Sequence, residues 1–191
     1  MQGLKDLTGL TAKKSMNFLT IDYLNKGNER QKKAYQTLVT HQIFRKLEAH
    51  SPILTGTIPI NIDIETSDLD IICYWQDKQQ FAATLKKLFK LERNFQIRET
   101  LIGSEESIVC NFTADDFEVE IFGQNIATQQ QNAYRHMLIE HQILQEKGEN
   151  FRLQIIDLKR KGLKTEPAFA HLLGLKGNPY EALLQLPTIG S

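Results

Sequence analysis

Residues 54–71 read Leu54-Thr55-Gly56-Thr57-Ile58-Pro59-Ile60-Asn61-Ile62-Asp63-Ile64-Glu65-Thr66-Ser67-Asp68-Leu69-Asp70-Ile71. A small-residue turn, Gly56-Thr57, is followed by two acids, Asp68 and Asp70, at the entry of an apolar run. That run predicts a β-strand over 69–75, apolar enough to lie inside a sheet. On a strand, the i, i+2 spacing puts both carboxylates on one face. Acids at the mouth of a buried strand cost stability unless something pairs with them, and a divalent cation is the natural partner. Oxygen donors suit Mg²⁺ or Mn²⁺, and Mg²⁺ bridging phosphate oxygens is the central device of phosphoryl and nucleotidyl transfer. Gly56 lets the backbone approach a ligand closely, and N–H groups of such a turn can cradle phosphate. Acids alternating with apolar residues also suit any half-exposed strand, and Asp63 and Glu65 fit a solvated loop.

A third carboxylate would complete a metal set. Residues 107–113 and 117–122 flank Ala114-Asp115-Asp116 and predict a hairpin. Glu118 and Glu120 share parity on its second strand. Glu120 is preferred because it sits between Val119 and Ile121, inside the strand; Glu118, nearer the turn, is the alternative.

The rest of the chain frames this segment. Apolar residues at three- and four-residue intervals, from Ala34 to Leu47, predict one helix over 28–49, closed by Pro52. Residues 53–55 form a short strand, 58–66 an ordered loop or edge strand interrupted by Pro59, and 95–101 a further strand. Asp77 caps a helix reaching residue 90, with Phe81, Leu85, Leu88 and Phe89 on its buried side. After Gly123 the pattern turns helical, over 127–147, 150–161, 166–173 and 179–186. The first of these is expected to pack Ala133, Met137 and Leu144 on the core and to border the cleft with Tyr134, Arg135 and His136. Short helical pieces are expected over 1–27. The reading is α+β: a mixed sheet flanked by helices over 1–125, and a C-terminal helical cap over 126–191 packed on it.

Composition removes several classes. The 191 residues carry 23 basic and 23 acidic side chains, a neutral balance that disfavours non-specific nucleic-acid binding. No apolar run has the length of a membrane span, and residues 1–14 lack the pattern of a secretory signal, so a cytoplasmic location is expected. Cys73 and Cys110 lie in apolar runs without Cys or His at ligand spacing and read as buried, reduced thiols. His136 and His141, five apart, do not share a helix face as a metal pair would. Walker-type, dinucleotide-binding and nucleophile-elbow motifs are missing from the sequence.

Gly56-Thr57, ten residues, then Asp68-Leu69-Asp70 resembles the signature of the nucleotidyltransferase superfamily related to DNA polymerase β, over about residues 50–125. Thr57 departs from the usual Gly or Ser but keeps a hydroxyl. The string 56–71, with Val119-Glu120-Ile121-Phe122-Gly123-Gln124 and Gln131-Asn132-Ala133-Tyr134-Arg135-His136-Met137, is similar to a small bacterial family of unassigned function, DUF4269, over roughly residues 30–180. The superfamily resemblance implies a nucleotidyltransferase-like core. It also implies divalent ions on Asp68, Asp70 and Glu120, with nucleotide phosphates at Gly56 and Thr57. Ser67 and Arg135 are taken as further nucleotide contacts, Arg being a natural phosphate partner. Glu120 stands where Asp is common.

Two functions are thereby expected in competition. One is a metal-dependent enzyme moving a nucleoside monophosphate from NTP to an acceptor hydroxyl, with a small molecule or protein favoured over nucleic acid as acceptor. The other is a non-catalytic nucleotide- or protein-binding module on the same fold.

Overall fold

A computed structural model describes residues 16–186; of the pieces expected over 1–27, those before residue 16 lie outside the described residues. Five strands form one sheet in the order β1-β2-β5-β4-β3. They are β1 (Ile53–Thr55), β2 (Leu69–Tyr74), β3 (Arg93–Ile102), β4 (Glu105–Ala114) and β5 (Phe117–Gln124). β2 and β5 run parallel, and the other neighbours pair antiparallel. The sheet is therefore mixed, as expected, and the predicted hairpin is β4–β5.

Period-two alternation gives the sheet two different faces. Leu69, Ile71, Cys73, Cys110, Phe112, Val119 and Ile121 form one apolar face. It is covered by α1 (Glu29–Thr40), the short α2 (Ile43–Lys46) and α3 (Lys78–Phe89) through Ala34, Leu38, Ile43, Phe81, Leu85 and Phe89. On the other face Ile53, Ile72 and Phe122 meet Met137, Ile143, Leu144, Ile155 and Phe169 of α4 (Asn132–Arg160) and α5 (Thr165–Leu173). Leu183 of α6 (Pro179–Leu184) closes this second cluster. Cys73 and Cys110 are buried free thiols, and burial raises both, Cys110 to about 12. No helix among the described residues is long and apolar enough to cross a membrane.

Asn28 closes a capping box with Gln31, and Asp77 accepts from the Gln80 N–H at 2.9 Å, so both expected helix starts stand. Three expectations are corrected. The helix over 28–49 is broken, because Gln42 takes a left-handed conformation (φ 52°) between α1 and α2. The helix expected from residue 127 starts at Asn132: Thr128–Gln130 is a 3-10 turn, and buried Gln131 donates to the carbonyls of Cys73 and Ile126. Ala133 faces solvent, whereas Met137 and Leu144 are buried. The expected separation of helices over 127–147 and 150–161 stands: α4 breaks at Gly148, whose φ of 76° and ψ of −170° are non-helical.

Candidate active site

One row of residues crosses the whole sheet on the face opposite α1 and α3. Thr55 of β1 lies opposite Asp70, Asp70 opposite Glu120, Glu120 opposite Asn111, and Asn111 opposite Gln96. Two carboxylates fifty residues apart in sequence thus become direct neighbours on parallel strands. Asp68 stands just ahead of β2, and Asp70 experiences its charge together with that of Glu120. Glu118 is exposed and precedes the first β2–β5 pair at Leu69 and Val119, so in this register it is Glu120 that faces Asp70.

The turn after β1 fits Asp70 closely. Gly56 has φ +76°, and a Cβ built there would stand 2.1 Å from Asp70 Oδ2. Only glycine gives both the left-handed backbone and the space. Burial, and then repulsion from Asp68 and Glu120, push the Asp70 carboxyl up to about 8, while Lys159 pulls the other way. Among the described residues, no three His, Cys, Asp or Glu side chains already surround one point as metal ligands. Burial and the neighbouring acids thus favour the proton-bound form of the Asp70 carboxyl.

The loop between Gly56 and Asp68 is neither strand nor free loop. The Thr57 hydroxyl donates to Ser67 Oγ at 3.1 Å, and Ser67 Oγ also accepts the Ile64 N–H at 2.9 Å. Both hydroxyls therefore pin the loop on itself. From α1, Gln31 donates to the carbonyls of Ile58 and Pro59. Arg30 donates to Ser67 O at 2.7 Å, pairs with Asp63 at 3.3 Å and lies over the Phe117 ring. From α4, Arg152 donates to Asn61 O, Lys159 Nζ to Ile62 O at 2.7 Å, and Arg160 pairs with Glu65. Lys159 is buried, and desolvation lowers it to about 8 against the pull of Asp63, Glu140, Asp70 and Asp68.

The helical cap adds a second polar group that sequence reading missed. Glu140 is 4% exposed, and its Oε1 has no hydrogen-bond partner. Burial and the charge of Glu166 raise it to about 8. Glu166 also acts on Asp70 and lies 3.7 Å from His136 Nδ1, while His136 Nε2 bonds the Tyr180 carbonyl. Of the Tyr134-Arg135-His136 turn, Tyr134 and His136 are buried, whereas Arg135 is exposed and donates to Asn132 of its own helix. The structure sets Asp70 opposite Glu120, presses Gly56 against Asp70, leaves Asp68 just ahead of β2 and bonds Thr57 to Ser67, without converging the three acids on one point among the described residues; Arg135 stays exposed.

This sheet and its helices are those of the nucleotidyltransferase fold. The chain is similar to Cid1, described by its RNA terminal uridylyl transferase activity (TM-score 0.51, 12% identity, 72% of this chain and 43% of that one). It is also similar to a chain of the GLD-2/RNP-8 complex (0.52, 15%, 80% and 60%). A cytoplasmic RNA terminal U-transferase matches likewise (0.53, 13%, 79% and 50%). Identities this low establish the fold alone, and the chain spans 43–60% of the length of these structures. Within that fold, the chain belongs to the family described as a domain of unknown function, DUF4269, whose model matches residues 36–186. Among curated proteins none matches the chain.

Proposed function

We propose that this protein is a metal-dependent nucleotidyltransferase that moves a nucleoside monophosphate from an NTP to an acceptor hydroxyl and releases pyrophosphate. The observation that carries the reading is the pairing of Asp70 with Glu120 across parallel strands, with Asp68 just ahead and Gly56 pressed against Asp70. The donor set fits Mg²⁺ or Mn²⁺. It offers oxygen only, and the Gly56 cradle fixes one carboxylate. Bound Mg²⁺ would neutralise the triphosphate and activate the acceptor oxygen. Asp68, Asp70 and Glu120 would hold the cation, and the Gly56-Thr57 turn would face the phosphates. A carboxylate of the set accepts the acceptor's proton. Ser67 serves by fixing the turn. The acceptor class stays wider than net charge suggested, since the proteins of like fold named above include RNA terminal transferases.

The test is thermal shift with each NTP, with and without Mg²⁺ or Mn²⁺, followed by labelled-NMP transfer and pyrophosphate release. Metal-dependent stabilisation by at least one NTP is expected, by mass action on the folded state. Failure of every NTP would refute the reading. Binding without transfer would favour the non-catalytic module, a reading to which the unconverged acids lend support.

A further inference from the structure

Glu120 has a cation close by that does not reach it. Arg98 of β3 brings its NH2 to 4.0 Å from Glu120 Oε2, well outside the 2.7–2.9 Å of a formed guanidinium–carboxylate pair. Asn111 stands between them. Its Oδ1 accepts from Arg98 NH1 at 2.9 Å, and its Nδ2 donates to Glu120 Oε2 at 3.2 Å. The register explains the arrangement: Asn111 is directly opposite Glu120 on β4–β5, while Arg98 is opposite Val109, so it reaches Asn111 diagonally. Glu120 is 32% exposed and Arg98 57% exposed, so both side chains keep part of their surface in solvent.

We infer that Asn111 is a positioning residue that insulates Glu120 from Arg98 and so keeps this carboxylate available to a divalent cation. An amide suits the task because it offers an acceptor to the guanidinium and a donor to the carboxylate at once. Aspartate would lack the donor, and alanine would lack both. Without the amide, Arg98 has a short path onto Glu120, where it would form a charge-assisted pair and compete with a metal ion. The inference rests on the reading of Glu120 as a metal ligand.

Mn²⁺ is the probe, with its affinity measured by the electron paramagnetic resonance of the free ion and no nucleotide present. The variants are Asn111→Ala, Arg98→Gln, the double variant and Glu120→Gln, each checked for folding by circular dichroism, with Asn111→Ser in place of Asn111→Ala should that fail to fold. Asn111→Ala is expected to weaken Mn²⁺ binding by about tenfold or more, the usual effect of losing a group that orients a metal ligand. Arg98→Gln should bind at least as tightly as the unaltered protein. The double variant should recover to within about threefold of Arg98→Gln, because the competitor is gone. A double variant as weak as Asn111→Ala would overturn the inference, since a purely structural asparagine is not rescued by removing Arg98. So would an Asn111→Ala protein with unaltered affinity. Wild-type Mn²⁺ binding by Glu120→Gln would instead remove Glu120 from the metal set, a failure distinguishable from that of the insulator.

Discussion

Asp70→Asn should separate a carboxylate kept for function from one kept for structure. In the metal-free protein, burial and two neighbouring acids lift Asp70 from 3.8 to about 8. The unfolded chain ionises near the ordinary value, so between these limits the native state binds more protons, and stability falls as pH rises from about 4 to 8. At pH 7 the full shift corresponds to a penalty of at most about 4 kcal/mol. Asp70 keeps part of its surface in solvent, and an asparagine there still has polar atoms to satisfy, which together leave about 1–2 kcal/mol of gain. For a chain of this size that is a rise of roughly 3–6 °C in melting temperature. The assay is thermal unfolding in EDTA from pH 5 to 8, repeated with Mg²⁺ and NTP. Asp70→Asn should melt higher than the unaltered protein at pH 7, show a flatter pH dependence, and lose metal-dependent stabilisation by nucleotide. A lower melting temperature at pH 7 in EDTA, with the slope unchanged, would refute the reasoning and mark Asp70 as structural.

Gly56→Ala should cost about 1–2 kcal/mol from the left-handed backbone, and displacing the Asp70 carboxylate should abolish metal-dependent nucleotide binding, read by urea unfolding and thermal shift. Glu140→Gln removes an acid raised to about 8, so its stabilising effect should be small near pH 5 and grow towards pH 8, as followed by melting temperature against pH. Lys159→Met removes the donor to Ile62 O, and a loss of about 1–3 kcal/mol is expected with faster amide exchange over residues 57–67, measured by hydrogen exchange.

Much of this was legible in the sequence because periodicity reports burial. The apolar run behind Asp70 and the parity of Glu120 gave two strands and a shared face, but which glutamate stands opposite Asp70 needed the register, which no local pattern encodes. Apolar spacing carried the first helix across Gln42, since a left-handed break by a non-glycine residue leaves no compositional mark. Charged residues on helices read as solvated, so Lys159 and Glu140 stayed hidden until packing buried them. The same default drew attention to Arg135, which sits outside, and away from Arg30, whose place just after the Asn28 cap gave no sign of its bonds to the acid loop. Asn111 had no signal at all: its role exists only once three strands lie side by side.

The straps on the loop redraw the smallest piece of chain able to carry the chemistry. Every proposed ligand and the glycine cradle lie before residue 125, and a deletion series guided by sequence would stop there. Yet Arg152 and Lys159, donating to the Asn61 and Ile62 carbonyls, and Arg160, paired with the Glu65 carboxylate, all lie beyond the break at Gly148 and tie down the loop that leads into Asp68. A fragment ending at the break would keep the sheet and every acid while losing three of the ties that aim the first of them. Exchanging caps between distant proteins of this fold would then disturb the centre unless the cations beyond the break were carried along with their loop partners.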